Sequence, residues 1–361
     1  MPEYLSPGVY VEEIELGAKP IEGVSTSTAG FLGPTERGSE APQLVVSFTQ
    51  FTQVYGGFLD DSHLAYAVDG FFRNGGRRCF VGRVVGNGAA PAAADLGPLR
   101  AEAIGAGTWG NRIYVKVEDA ALTATRPELF KLTLAYWRTL PPAVDGGVRV
   151  DPTDPRNRAN PQRREPDVLE VFDNLSPDPA SSDYYERRVN GISHLVRLVR
   201  EGAGEPPGQG VAESATLNGP GNPGATLDKP LAGGGDGAAL GLADYRGRTA
   251  LGDRTGLAAL ADVDEIAIVA IPDEHRVAGL TRELIDHCER LRDRFAVTAV
   301  DQGTTDVANL RPPADSRYAA VYYPWIRILD PVSGAPRLVP PTGHVAGIYA
   351  RSDVERGVHK A

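Results

Sequence analysis

Residues 264–301 read DEIAIVAIPDEHRVAGLTRELIDHCERLRDRFAVTAVD, and this stretch decides the fold class. Residues 264–271 are short and nearly all apolar, as a strand covered on both faces requires. Pro272-Asp273 opens a helix. Val277, Leu280, Leu284, Cys288, Leu291 and Phe295 then recur at spacings of three and four, which puts them on one helical face. Leu284 and Cys288 are therefore expected against a sheet. Asp286 and Arg290, four apart, are expected to pair on the other face. Residues 295–300 form a second apolar run. A strand, helix and strand of this length make a βαβ unit, hence a parallel sheet with a right-handed crossover.

Working outward, the same class of element recurs. Residues 318–329 read as one strand, with Pro324 marking a bulge or an edge. Pro340-Pro341-Thr342 opens a helix through Tyr349. Near the start, residues 29–32, 44–46 and 79–85 are strand-like, the last apolar on both faces except at Arg83. Residues 48–55 read as a short helix stopped by Gly56-Gly57. Ser62 is placed to cap a helix carrying Leu64, Val68, Phe71 and Phe72, which ends at Asn74-Gly75. Residues 29–85 and 228–361 thus form the two parts of an α/β core with a parallel sheet.

Between them the period changes from helical to two. Ile113, Val115 and Val117 alternate with Tyr114 and Lys116; Phe130, Leu132, Leu134 and Tyr136 alternate with Lys131 and Thr133. Residues 86–227 read as an inserted β-rich domain. It carries an exposed Pro- and Arg-rich loop at 138–166 and a short helix at 184–190. Residues 201–237, dense in Gly and Pro, read as a flexible connection. Residues 1–28 read as an extended arm. Val9-Tyr10-Val11 is strand-prone but too short to stand alone, so the arm must pair with something else.

Composition narrows the function. The net charge of -10 argues against nucleic-acid binding, which needs a basic surface. Of 37 basic residues only five are Lys, and the Arg excess suits fixed ion pairs between proteins. Cys79 and Cys288 are too far apart in sequence to suggest a disulfide framework, and both sit in apolar patterns as buried thiols. No run of about 18 apolar residues suggests a membrane span. The six histidines form no HExxH pair or close cluster with cysteine. Gly233-Gly234-Gly235-Asp236-Gly237 lacks the Lys of a phosphate loop. Asp301 follows the second βαβ strand, where α/β enzymes place catalytic groups, but it reads as a strand-end turn residue. No catalytic, metal or cofactor-binding residue is assigned.

Several stretches, in order over most of the chain, resemble the tail sheath family of contractile phages and phage-like injection systems. They include Ser6-Pro7-Gly8-Val9-Tyr10-Val11-Glu12-Glu13 and Thr35-Glu36-Arg37-Gly38 within 25–38. Val54-Tyr55-Gly56-Gly57, Phe71-Phe72-Arg73-Asn74-Gly75-Gly76 and Gly107-Thr108-Trp109-Gly110-Asn111 follow. Glu170-Val171-Phe172-Asp173-Asn174-Leu175-Ser176, Tyr322-Tyr323-Pro324-Trp325-Ile326 and 343–351 complete the set. Residues 86–100, 138–166 and 201–230 match poorly.

The resemblance implies an α/β core of subtilisin-like topology without protease activity. It implies a non-enzymatic subunit that stacks in hexameric rings around an inner tube and contracts. Ser6, Pro7, Gly8, Val9, Tyr10, Val11, Glu12 and Glu13 would then be the inter-subunit arm, adding a strand to a neighbour. The implied partners are copies of itself, the inner tube protein, and baseplate and terminator or cap proteins, with no nucleic acid and no membrane insertion. Assembly is expected in the bacterial cytoplasm, with the product part of a phage tail or related particle. In the family, a stretch like 355–361 runs on into a tube-facing C-terminal domain absent from this sequence. Tube binding and mesh formation are not expected of the chain alone. The alternatives are a non-contractile cap or adaptor built from sheath domains, and a hydrolase on the α/β core.

Overall fold

The computed structural model describes residues 26–144, 148–201, 226–227 and 230–357. The first elements are β1 (Ala29–Gly33), β2 (Gln43–Val45), α1 (Phe48–Tyr55), α2 (Leu64–Arg73) and β3 (Cys79–Arg83). Ser47 starts α1, its Oγ accepting the Gln50 amide at 3.1 Å. Next come β4 (Ala93–Leu96), β5 (Leu99–Ala103), β6 (Ile113–Asp119), β7 (Phe130–Tyr136), β8 (Arg149–Val150), β9 (Val168–Leu175), α3 (Tyr185–Val189), β10 (Val196–Arg200) and β11 (Thr226–Leu227). The chain then forms α4 (Leu242–Arg246), α5 (Gly256–Leu260), β12 (Ile268–Ala270), α6 (Leu280–Leu291), β13 (Phe295–Ala299), β14 (Ala319–Tyr322), β15 (Ile326–Leu329), β16 (Pro336–Val339) and α7 (Thr342–Arg356).

Six strands form one sheet in the order β14-β13-β12-β1-β3-β2, parallel throughout except for the β2–β3 pair. Alternation along its strands builds two cores. Phe31, Ile268, Ala270 and Val297 face α1, α2 and α7. Leu32, Val269, Ile271 and Ala296 face α4, α5 and α6, where Leu284 and Cys288 are fully buried. Helix α7 lies against α2 because Gly343 and Gly347 have no side chains. A Cβ at either would strike backbone of α2, at Ala67 or Phe71.

A third core belongs to antiparallel strands. Sheets β6-β7-β9 and β10-β5-β4 share a cluster containing Trp109, Leu132, Leu134, Tyr136, Leu198 and Leu231. Leu231 comes from 201–237, read above as a flexible connection. In its described part, residues 230–237 instead run beside β4 and β6. The Leu231 amide bonds to Ile113 O, and Ala232 exchanges bonds with Ala93. An apolar side chain with a hydrogen-bonded backbone anchors this Gly-rich stretch.

Other expectations need correction. The loop at 138–166 is partly internal: Pro155–Ala159 forms a 3-10 turn, and Asp151 and Asn157 are buried. Lys116 lies beneath it with its Nζ 2.7 Å from Asp151 Oδ2, so a position that alternation assigns to solvent is buried. The 318–329 strand is two strands in different sheets, parted at a cis Tyr323-Pro324 bond. Helix α6 starts at Leu280, after Gly279 in the left-handed region; Val277 belongs to the turn before it. Asp286 pairs with Arg282, one turn towards the N-terminus, at 2.8 Å, and not with Arg290.

Candidate functional site

The C-terminal ends of the parallel strands gather several buried charged side chains, Arg37, Arg83, Asp273 and Glu274 among them. A cleft of about 580 Å³ opens there between the parallel sheet and the antiparallel layers. Thr35, Glu36, Arg83, Asp236, Asp273 and Arg276 all reach it.

One wall is a set of bonds between the sheet and the antiparallel strands. Glu36 follows β1, and its carboxylate accepts from Tyr136 Oη at 2.5 Å, Arg138 Nε at 2.9 Å and the Gly57 amide at 2.9 Å. Burial opposes its charge, but these donors outweigh that penalty and hold the carboxyl down at about 2. Gly56 has φ +87°, and a Cβ on either Gly56 or Gly57 would collide with Glu36 or Arg138. The glycine pair read above as a helix stop is also what lets the carboxylate approach. Arg83, the polar interruption of β3, donates to Ala106 O at 2.7 Å. Burial pulls its guanidinium down to about 10. Asp236 accepts from the Thr108 amide and hydroxyl at 2.8 and 2.7 Å, so the Gly233–Gly237 run is bound to the Gly107–Asn111 turn.

The other wall was not legible from sequence spacing. His63, at the start of α2, meets Asp273 and His275 in the turn after β12. His63 Nδ1 lies 2.7 Å from Asp273 Oδ1, and the His63 amide donates to Asp273 Oδ2 at 2.9 Å. Arg276 Nε lies 3.1 Å from Asp273 Oδ1. Burial opposes the Asp273 charge, but His63 and Arg276 hold its carboxyl below the usual range. Burial likewise holds His275 below the usual imidazole value. Trp325 packs edge-on to both rings, with centroids 5.3 Å from His63 and 4.9 Å from His275. The adjacent Glu274 is buried, accepts the Ala299 amide at 2.7 Å, and is pushed up to about 8 by burial.

Ser62, His63 and Asp273 invite comparison with a hydrolytic triad. In a triad the serine hydroxyl faces an imidazole nitrogen. Here Ser62 Oγ lies 3.0 Å from Pro34 O and 3.1 Å from Asp273 Oδ2, and it accepts the Leu64 amide. The hydroxyl is held by these contacts and is not placed as an activated nucleophile; nor is it the expected cap, because the N-cap of α2 is His63, which makes no side-chain capping bond. Asp301 is exposed beyond β13. Cys79 and Cys288 are buried free thiols, and burial pushes Cys288 up to about 12. The predicted arm residues, Ser6 to Glu13, lie outside the described residues.

No family model matches the chain, and no curated protein does. Solved structures do. A sheath tail protein from Listeria innocua aligns over 90% of this chain and 56% of its own, at 13% identity and TM-score 0.49. One from Desulfitobacterium hafniense aligns over 96% and 61%, at 14% identity and TM-score 0.45. The contracted helical sheath of the anti-feeding prophage aligns over 98% and 54%, at 16% identity and TM-score 0.38. This chain spans 54–61% of the length of these three proteins. No helix among the described residues is long and apolar enough to cross a membrane.

Proposed function

We propose that this chain is a structural subunit of a contractile tail sheath. It would stack with copies of itself around an inner tube, with residues 6–13 adding a strand to a neighbour. One observation carries the reading. The stretches that resemble the sheath family are far apart in sequence but touch one another in the fold. Glu36 packs against Gly56 and Gly57, Phe71 against Gly347, Gly75 against Arg351, and Tyr322 against Tyr349. A shared motif that surrounds a reaction site converges on one cavity; of these residues Glu36 alone lines the cleft, and the others clasp pairs of elements across the molecule. Such placement suits a subunit that must transmit force without deforming.

The hydrolase alternative has its best case in the His63–Asp273 pair, and the engagement of Ser62 speaks against it. The division at residues 28 and 85 is proposed as the working boundary between arm, core and insertion, and the boundary drawn at 227 is proposed to move past residue 237, because residues 230–237 run beside β4 and β6. Electron microscopy of particles from a producing strain tests the function. Deletion of the gene should leave tails without a sheath, and complementation should restore it; intact sheaths in the deletion strain would overturn the reading. Ester, peptide or nucleotide turnover that disappears in Asp301→Ala would overturn it equally.

A further inference from the structure

We propose that His63, Asp273 and His275 form a binding site for a divalent transition metal of the zinc type. The inference stands on their geometry and is independent of the sheath reading. One donor atom from each residue can be chosen so that all lie within 4.8 Å of one another. Two imidazoles and one carboxylate are borderline donors, suited to zinc, nickel or cobalt. Magnesium and calcium prefer sites made of oxygen alone.

The three residues come from two places about 210 positions apart, so the cluster exists only in the fold. Around them is the kind of outer shell that orients metal ligands. Ser62 Oγ, the His63 amide and Arg276 Nε each contact the Asp273 carboxylate, at 3.1, 2.9 and 3.1 Å. Trp325 covers both rings, and its own Nε1 is tied to Val300 O at 2.7 Å. His63 and Asp273 are buried, whereas His275 is half-buried on a turn, so an entry path runs past His275.

In the metal-free form, His63 Nδ1 and Asp273 Oδ1 share a hydrogen bond of 2.7 Å. A cation would take the place of that proton, which leaves to solvent. Zinc–nitrogen bonds of about 2.1 Å put tetrahedral ligands about 3.4 Å apart. His63 and Asp273 would therefore part slightly while His275 swings inward from its turn. Arg276 contacts the same Asp273 Oδ1 in the metal-free form and would have to release it to the cation, while Ser62 and the His63 amide keep Oδ2. Three protein ligands leave a fourth position for water. The bound ion would tie the start of α2 to the turn between β12 and α6, beneath the Trp325 strap.

The test uses the full, untagged chain, stripped with chelator and dialysed against zinc chloride or cobalt chloride. The expected result is about one metal equivalent retained per chain, with a raised melting temperature. Cobalt should also give the visible absorption of a low-symmetry site. His275→Ala, checked for folding by circular dichroism, should weaken binding at least about tenfold, since even the loss of an outer-shell partner costs that much. His275→Gln serves if the alanine variant does not fold. His194→Ala, on the antiparallel region, should bind as the wild type does. Failure to retain metal would overturn the proposal. So would unchanged binding in the folded His275 variant, which would place the metal elsewhere on the chain.

Discussion

Glu36 and Glu274 each follow a strand of the parallel sheet at its C-terminal edge, and both are buried, yet burial ends differently for them. Glu36 receives hydrogen bonds from a tyrosine, an arginine and a backbone amide, and its carboxyl is held at about 2. Glu274 receives the Ala299 amide, lies in the field of Asp301, and is pushed up to about 8. Desolvation is the largest influence on both; the supply of donors decides the sign. The lesson concerns pH. Glu36 contributes stability that is present above the normal carboxyl value of 4.5 and is lost as pH falls through about 2. Glu274 contributes stability that is present below 4.5 and is lost as pH rises through about 8. The fold is therefore opposed by acid at the Glu36 clasp and by base at the Glu274 turn.

An uncharged position sets the scale. Leu284 is fully buried between α6 and the sheet, and Leu284→Ala should cost about 2–5 kcal/mol at every pH. Urea unfolding measures it, and a loss below about 0.5 kcal/mol would mean that the helix does not pack as described. Glu36→Gln should cost about 2–3 kcal/mol at pH 7, because Arg138 loses its charged partner and Tyr136 a strong acceptor. That cost should shrink as pH falls from about 4.5 towards 2, since the unfolded wild type takes up a proton there that its folded carboxylate, held at about 2, does not. A cost that stays the same at pH 7 and pH 3 would show that the clasp acts by shape and not by charge.

The same contrast explains what sequence could and could not reveal. The βαβ unit was legible because apolar periodicity is local: β12, α6 and β13 lie inside the predicted runs. So were β6 and β7, where alternation marks a half-buried sheet. Arg83 stood out as polar within an apolar strand, and it is indeed a buried tie to Ala106. Lys116 misled, because alternation shows which face a residue takes but not what later covers that face. Residues 230–237 misled for a related reason: Gly-rich composition reports local freedom, while Leu231 is held by a core built elsewhere. Residues 63 and 273–275 escaped notice because metal and triad spacings are local patterns, and this cluster forms only when distant turns meet.

Glu274→Gln tests the other side of the comparison. The amide oxygen can still accept from Ala299, while the ionisable proton is gone. Wild-type stability should fall as pH rises from about 5 to 8, because the folded state binds more protons than the unfolded state there. The variant should lack that slope and should exceed the wild type at pH 9 by several kcal/mol, the linkage of a carboxyl raised from 4.5 to about 8 at about 1.4 kcal/mol per unit. Parallel stability profiles for the two proteins between pH 5 and 9 would refute the assignment.

The smallest effect is the most diagnostic. Asp301 is exposed, and its negative charge helps keep Glu274 protonated. Asp301→Asn should therefore shift the Glu274 titration towards lower pH by less than about one unit, as water screens an exposed charge. Overall stability at pH 7 should stay within about 0.5 kcal/mol of the wild type, the usual range for a surface change. The midpoint of the stability-versus-pH curve is the quantity to follow. A shift towards higher pH would contradict a negative neighbour, since removing such a charge can only make Glu274 easier to ionise. In the Glu274→Gln background the same substitution should leave no midpoint to move. A pH-dependent effect of Asp301 that survives there would mean that it acts on another group, with His275 next in reach of its field.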